Sequence, residues 1–123
     1  MTPNDLLDYC LAKPGAWEDE PWEDHNVAKV GPAERGKIFA FLGFVDSAAN
    51  PSVGVKGGAH RDEADEWLHR YPEDASVMPY IGRSGWNTLR IGGAIPDDEI
   101  GEAIDTSYEL IVAKLPKQLR PAN

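Results

Sequence analysis

The 123-residue chain carries a single cysteine, no apolar run long enough to cross a membrane, and far fewer bases than acids. A lone Cys10 excludes an internal disulfide and any cysteine cage for a metal. Leu6, Leu7 and Leu11 flank it at helical spacing, so it reads as a small buried hydrophobe and not as a reactive thiol. The opening Thr2-Pro3-Asn4-Asp5 lacks the basic start and apolar run of a secretory leader. No stretch approaches the roughly 20 apolar residues of a spanning helix. These absences predict a cytoplasmic protein with no membrane partner. His25, His60 and His69 lack zinc-ligand spacing, the serines lack a Gly-x-Ser-x-Gly elbow, and neither Gly57-Gly58 nor Gly92-Gly93 fits a phosphate loop or dinucleotide fingerprint. No enzyme signature is present, and no cofactor is expected.

The shortage of bases has its own consequence. With 21 acids against 12 Lys and Arg, the formal charge is −9, which repels phosphate backbones at long range and disfavours sequence-blind nucleic-acid binding. The charge is unevenly spread. Acids concentrate in 1–24, 62–74 and 97–109, while bases prevail in 25–61, 75–96 and 110–123. A folded molecule can therefore still present one positive side, although acidic blocks more commonly serve as solvated helix faces.

What is present suffices for a core in one domain spanning 1–123: 41% of residues are hydrophobic, including four Trp, four Tyr and three Phe. Thr2 caps a helix with Pro3 at its first position, and Leu6, Leu7, Cys10 and Leu11 form its stripe until Pro14-Gly15. Residues 16–24, acidic and aromatic with an internal proline, read as an extended connection. Strands are expected at 26–30, over Lys37–Phe44 as a central strand, and at 52–56, with a loop over 46–51. Ala64, Trp67, Leu68 and Tyr71 mark a helix over 62–71 that Pro72 ends. Strands at 77–82 and 85–91 joined by a short turn at Arg83-Ser84 read as a hairpin. The last helix starts at Pro96, has Asp97, Asp98 and Glu99 at its positive end, and buries Ile100, Ile104, Ser107, Tyr108, Ile111 and Leu115. The predicted class is α+β: an antiparallel sheet covered by helices.

Chemistry-bearing groups are few. The acids Glu18, Asp19, Glu20, Glu23 and Asp24 lie in a proline-containing stretch that predicts solvation, the opposite of the desolvated cleft acid–base catalysis needs. As hard oxygen ligands they would hold Ca²⁺ or Fe²⁺ only weakly, without EF-hand spacing. A two-stranded ribbon tipped with Arg83 has the shape that enters a nucleic-acid groove. On the following strand Trp86, Thr88 and Arg90 share a face on which a ring stacks and a guanidinium reaches phosphate. The structural alternative weighs more for Trp86, as core beneath a helix, and for its neighbour Asn87, as a tie for buried backbone.

Several short motifs resemble the MmcQ/YjbR family in order and spacing over nearly the whole chain. They are Lys13-Pro14-Gly15-Ala16 after the first helix, the acids before Pro21-Trp22, Gly36-Lys37-Ile38-Phe39, Val55-Lys56, Trp86-Asn87-Thr88, Pro96-Asp97, Ser107-Tyr108 and Leu115-Pro116-Lys117. The resemblance implies a fold similar to the CyaY-like and double-wing folds. It also implies DNA binding, a label the family carries largely through that structural similarity. The residues it nominates for nucleic acid are Arg83, Trp86, Asn87, Arg90 and Lys56. Family members often place a basic residue and a histidine just before the Trp; here Arg83 keeps the first and Gly85 stands for the second. Rival expectations are a non-enzymatic module for a protein partner or small ligand, and weak acidic metal binding by analogy with the CyaY-like fold.

Overall fold

In the computed structural model, residues 1–22, 25–42 and 51–121 are described. Helix α1 (Pro3–Leu11) begins where Thr2 and Asp5 close a reciprocal capping box, and it buries Leu6 and Cys10. Strands β1 (Ala16–Trp22), β2 (His25–Val30), β3 (Lys37–Phe41) and β4 (Ser52–Lys56) follow. Helix α2 (Arg61–Arg70), strand β5 (Ala75–Val77), strand β6 (Trp86–Arg90) and helix α3 (Asp97–Val112) complete the regular elements. The strands form one sheet in the order β1-β2-β3-β4-β6-β5, antiparallel at every pairing. The expected α+β class is the observed one.

Residues 16–22 are a strand, not the connection read from their acidity and proline. Alternation explains it: Trp17 and Asp19 lie beside Lys29 of β2, which forms a 2.7 Å ion pair with Asp19 and places its ammonium 5.4 Å from the Trp17 ring centre. Pro21 is tolerated because β1 is an edge strand and its register shifts between Asp19 and Trp22. The central strand is described as far as Phe41, with Leu42 still donating to the Asn26 carbonyl at 2.9 Å. The expected continuation through Phe44 and most of the loop expected over 46–51 lie outside the described residues.

Strand β3 carries a bulge, since Ala28 faces Ala40 while the next residue of β2, Lys29, faces Ile38. Phe39 and Ala40 are consequently both buried, and Phe39 packs edge-on against Tyr108 of α3 at 5.2 Å. Ser107 repairs the backbone there: its buried hydroxyl donates to the Phe39 carbonyl at 2.6 Å and accepts the Lys56 amide at 2.9 Å. Ile100, Ile104 and Ile111 of α3 pack into the same core as Leu89, Val53 and Val55, and Trp67 and Leu68 of α2, with Tyr71 capping its end, cover its flank. All the buried side-chain polar atoms described have hydrogen-bond partners.

The expected hairpin is the larger departure. β5 stops at Val77, and residues 78–85 form a loop containing a short 3₁₀ turn over Gly82–Ser84, so Arg83 sits within that turn. Pro79 has no amide for a ladder, and the last cross-strand bond is Met78 N–H to the Trp86 carbonyl at 3.1 Å. Gly85 closes the loop at φ 102°, where a Cβ would lie 2.6 Å from the Gly58 carbonyl oxygen.

Candidate functional site

The 78–85 loop is held from below by two cations and an amide. Arg61, the first residue of α2, donates to the Gly82 carbonyl at 2.7 Å, to the Trp86 carbonyl at 3.1 Å, and to Oδ1 of Asn87. Its Nε binds Asp65 at 2.8 Å, so the whole planar fork is engaged. Asn87, fully buried, returns its Nδ2 to the Ala64 carbonyl at 2.8 Å and so locks α2 to β6. Lys56 at the end of β4 is only 1% exposed and donates its Nζ to the Ser84 carbonyl. Burial lowers the pKa of Lys56, with Lys114 adding to the shift and Glu63 opposing it. The Gly57 amide donates to the Gly85 carbonyl at 2.7 Å and fixes the loop's return.

The sequence-nominated residues therefore divide. Arg83 is exposed and has no partner among the described residues. Lys56 and Asn87 lie beneath the loop and hold it. Trp86 is 8% exposed and packs edge-on against Phe41 with ring centres 5.4 Å apart, which is the core role weighed above for it. Arg90 sits at the opposite end of β6 from Arg83, beside Asp74 at 3.8 Å, so the two arginines are not brought together. Two residues escaped the sequence reading. Arg61 is a cation in the first turn of a helix, where the dipole disfavours it and where Asp62 and Glu63 follow; that misplacement is a legible signal of a job elsewhere. Tyr80 is the other.

Tyr80 stands wholly exposed at φ 66° and is the only non-glycine residue with positive φ among those described. The Ile81 amide donates to the Pro79 carbonyl at 2.7 Å across it, which makes a γ-turn of the strained, positive-φ kind. Val77 and Ile81 are exposed beside it.

Strand register fixes what surrounds the loop. Val30 faces Lys37, Lys56 faces Trp86, and Val77 faces Asn87, so the 31–36 turn, the residues after Lys56 and the 78–85 loop share one end of the sheet. Leu115 packs close to Gly31 and brings the end of α3 to that place. Arg35, Lys37, Arg83, Lys114 and Lys117 are all exposed there, without an ion pair among the described residues. Acids share this end too: Glu34 in the same turn, and Asp62 and Glu63 at the start of α2. Elsewhere Lys13, Lys29 and Arg70 are neutralised by Asp105, Asp19 and Glu99.

Other candidates hold less. Among the described residues, no three His, Cys, Asp or Glu side chains converge into a metal-holding group. A shallow pocket of about 210 Å³ lies between Tyr108, Glu109, Val112, Ala113, Arg120 and Pro121. It is smaller than ordinary ligand sites of roughly 300–1,000 Å³, and its Tyr108 hydroxyl and Arg120 guanidinium already bind the Pro14, Ala113 and Leu115 carbonyls. No described helix is long and apolar enough to cross a membrane.

The family model described as YjbR matches residues 11–110. The chain belongs to the YjbR family. The uncharacterised YjbR protein of Escherichia coli K12 is 30% identical over 120 residues, covering 98% of this chain and 95% of that protein. A Deinococcus radiodurans crystal structure with a DUF419 domain superposes with a TM-score of 0.81 at 23% identity, over 96% of this chain and 84% of that one. A Pseudomonas syringae protein superposes at 0.70 and 18% identity, over 90% and 99% of the two chains. At such identities these structures speak for the fold alone. The YjbR motifs named above now have physical roles: Ser107 stitches the β3 bulge, Asn87 locks α2, and Tyr108 binds the Pro14 carbonyl.

Proposed function

We propose that this YjbR family member binds DNA, without catalysing a reaction on it, through the sheet end that carries the 78–85 loop. One observation carries the reading: the exposed cations without acidic partners, Arg35, Lys37, Arg83, Lys114 and Lys117, lie at the same end of the sheet as a loop whose Gly82 and Ser84 carbonyls are held from below. A rigid loop offers Arg83 to a phosphate at little entropic cost, and the neighbouring cations extend the contact along a backbone. The −9 net charge slows encounter, so binding is weak at physiological salt and strengthens as salt falls.

Fluorescence anisotropy with labelled duplex DNA at two salt concentrations tests it. Arg83→Ala should weaken binding across sequences and make the salt slope shallower by about 0.9 for the one phosphate contact removed. Arg90→Ala, at the far end of β6, should leave binding unchanged. Absence of wild-type binding at low salt, or indifference to Arg83→Ala, would remove the proposal.

A further inference from the structure

We infer that Tyr80 is a stacking platform for an unpaired base, so that the site takes single-stranded DNA in preference to duplex. The inference rests on the DNA reading above and narrows it. A fully exposed tyrosine at φ 66° is costly twice, in backbone strain and in a large ring left in water. Nothing in the loop's own packing requires it: its ring makes no contact among the described residues, and glycine or asparagine would hold the γ-turn with less strain. The turn instead stands the ring out from a loop held at its Gly82 and Ser84 carbonyls by Arg61 and Lys56, with Ile81 next in the chain and Val77 before it also exposed.

Charge argues for a nucleic-acid occupant over a second apolar surface. Arg83 is three residues from Tyr80, a Cα separation of at most about 11 Å, which the 3₁₀ turn shortens. A base on the ring therefore leaves a neighbouring phosphate within reach of the guanidinium, and Lys37 and Lys114 lie at the same sheet end for the strand to follow. In duplex DNA every base face is already covered by its neighbours, so the ring has nothing to stack on. An unpaired strand offers that face in any sequence.

The experiment uses the full chain, a single-stranded oligonucleotide with one 2-aminopurine, and a duplex of the same sequence. Stacking quenches 2-aminopurine, so wild type and Tyr80→Trp should both quench it on binding. Tyr80→Ala should lose the quench and weaken single-strand binding roughly tenfold, while its duplex affinity and thermal melting stay unchanged. Tyr80→Gly, which relieves the strain and removes the ring, should bind as Tyr80→Ala does while melting no lower than it. Single-strand binding indifferent to Tyr80→Ala overturns the stacking role, and if Arg83→Ala still weakens duplex binding the DNA reading survives that failure. No binding to either form overturns both. Self-association in sedimentation that Tyr80→Ala abolishes, without any quench by wild type, would reassign the patch to a protein interface.

Discussion

Arg61→Ala probes the clamp that holds the loop. The substitution removes donors from the carbonyls of Gly82 and Trp86 and from Asn87 Oδ1. The losses are unequal. The Gly82 carbonyl keeps the Gly85 amide at 3.0 Å and the Trp86 carbonyl keeps the Met78 amide at 3.1 Å, so each loses a second bond only, about 0.5 kcal/mol apiece. Asn87 Oδ1 is buried and has no other donor among the described residues, so it carries the full penalty of an orphaned acceptor, about 1–3 kcal/mol. The half-buried, solvent-screened i,i+4 pair with Asp65 adds a few tenths at most. The expected total is about 2–4 kcal/mol, read from urea denaturation at constant m-value. Hydrogen exchange should show the amides of Ser84 and Gly85 accelerated more than those of β3, because the loop loosens before the sheet does. Asp65→Ala, which leaves the clamp in place, should cost under about 0.5 kcal/mol. If Arg61→Ala costs less than about 1 kcal/mol, or if exchange accelerates uniformly, the guanidinium is a surface group and the loop holds itself.

Leu89→Ala should cost about 2–5 kcal/mol, since the side chain is fully buried on β6 between β4 and β5; a denaturation shift under about 1 kcal/mol would contradict the β6 register. Gly85→Ala should destabilise by at least about 1 kcal/mol, because φ 102° and the Gly58 carbonyl both oppose a Cβ; a neutral melting curve would show that the loop has a second way to close. Burial pushes the Cys10 thiol up to about 12 from 9.0, so the folded state holds its proton longer than the unfolded one. Stability from this group is intact below pH 9 and falls by about 1.4 kcal/mol per pH unit above it. Lys56, with a lowered pKa, acts in the opposite sense on approaching 10.5. Cys10→Ala should therefore flatten the decline between pH 8 and 10.5 relative to wild type, and parallel stability curves would exclude the thiol as its cause.

Much of the architecture was local in origin and so legible in the chain. Thr2-Pro3, the stripe at Ala64, Trp67, Leu68 and Tyr71, and the acids opening α3 each declare a helix through bonds and dipoles within a turn or two of themselves. Alternation declared β6, and spaced motifs across the chain declared the family. The reading of residues 16–22 as a connection failed because local acidity and Pro21 argue against a strand, whereas pairing with β2 supplies Lys29 as partner to both Asp19 and Trp17. Tertiary structure alone decided the site. Lys56 looks like a contact residue while only its strand is known, and Asn87 already reads as a backbone tie; both are supports once α2 and the 78–85 loop close over them. Lys56 and Ser84 are separated along the chain and meet under one loop because β4 and β6 are neighbours. The exposed cations at 35, 37 and 83 share one end of the sheet only because antiparallel register returns the strands there, and the packing of Leu115 beside Gly31 brings those at 114 and 117 to the same end. Spacing in a sequence records what is near along the backbone, and the assembly of charge at a sheet end depends on which strands pair, a choice made by the buried core and not by the charged residues themselves.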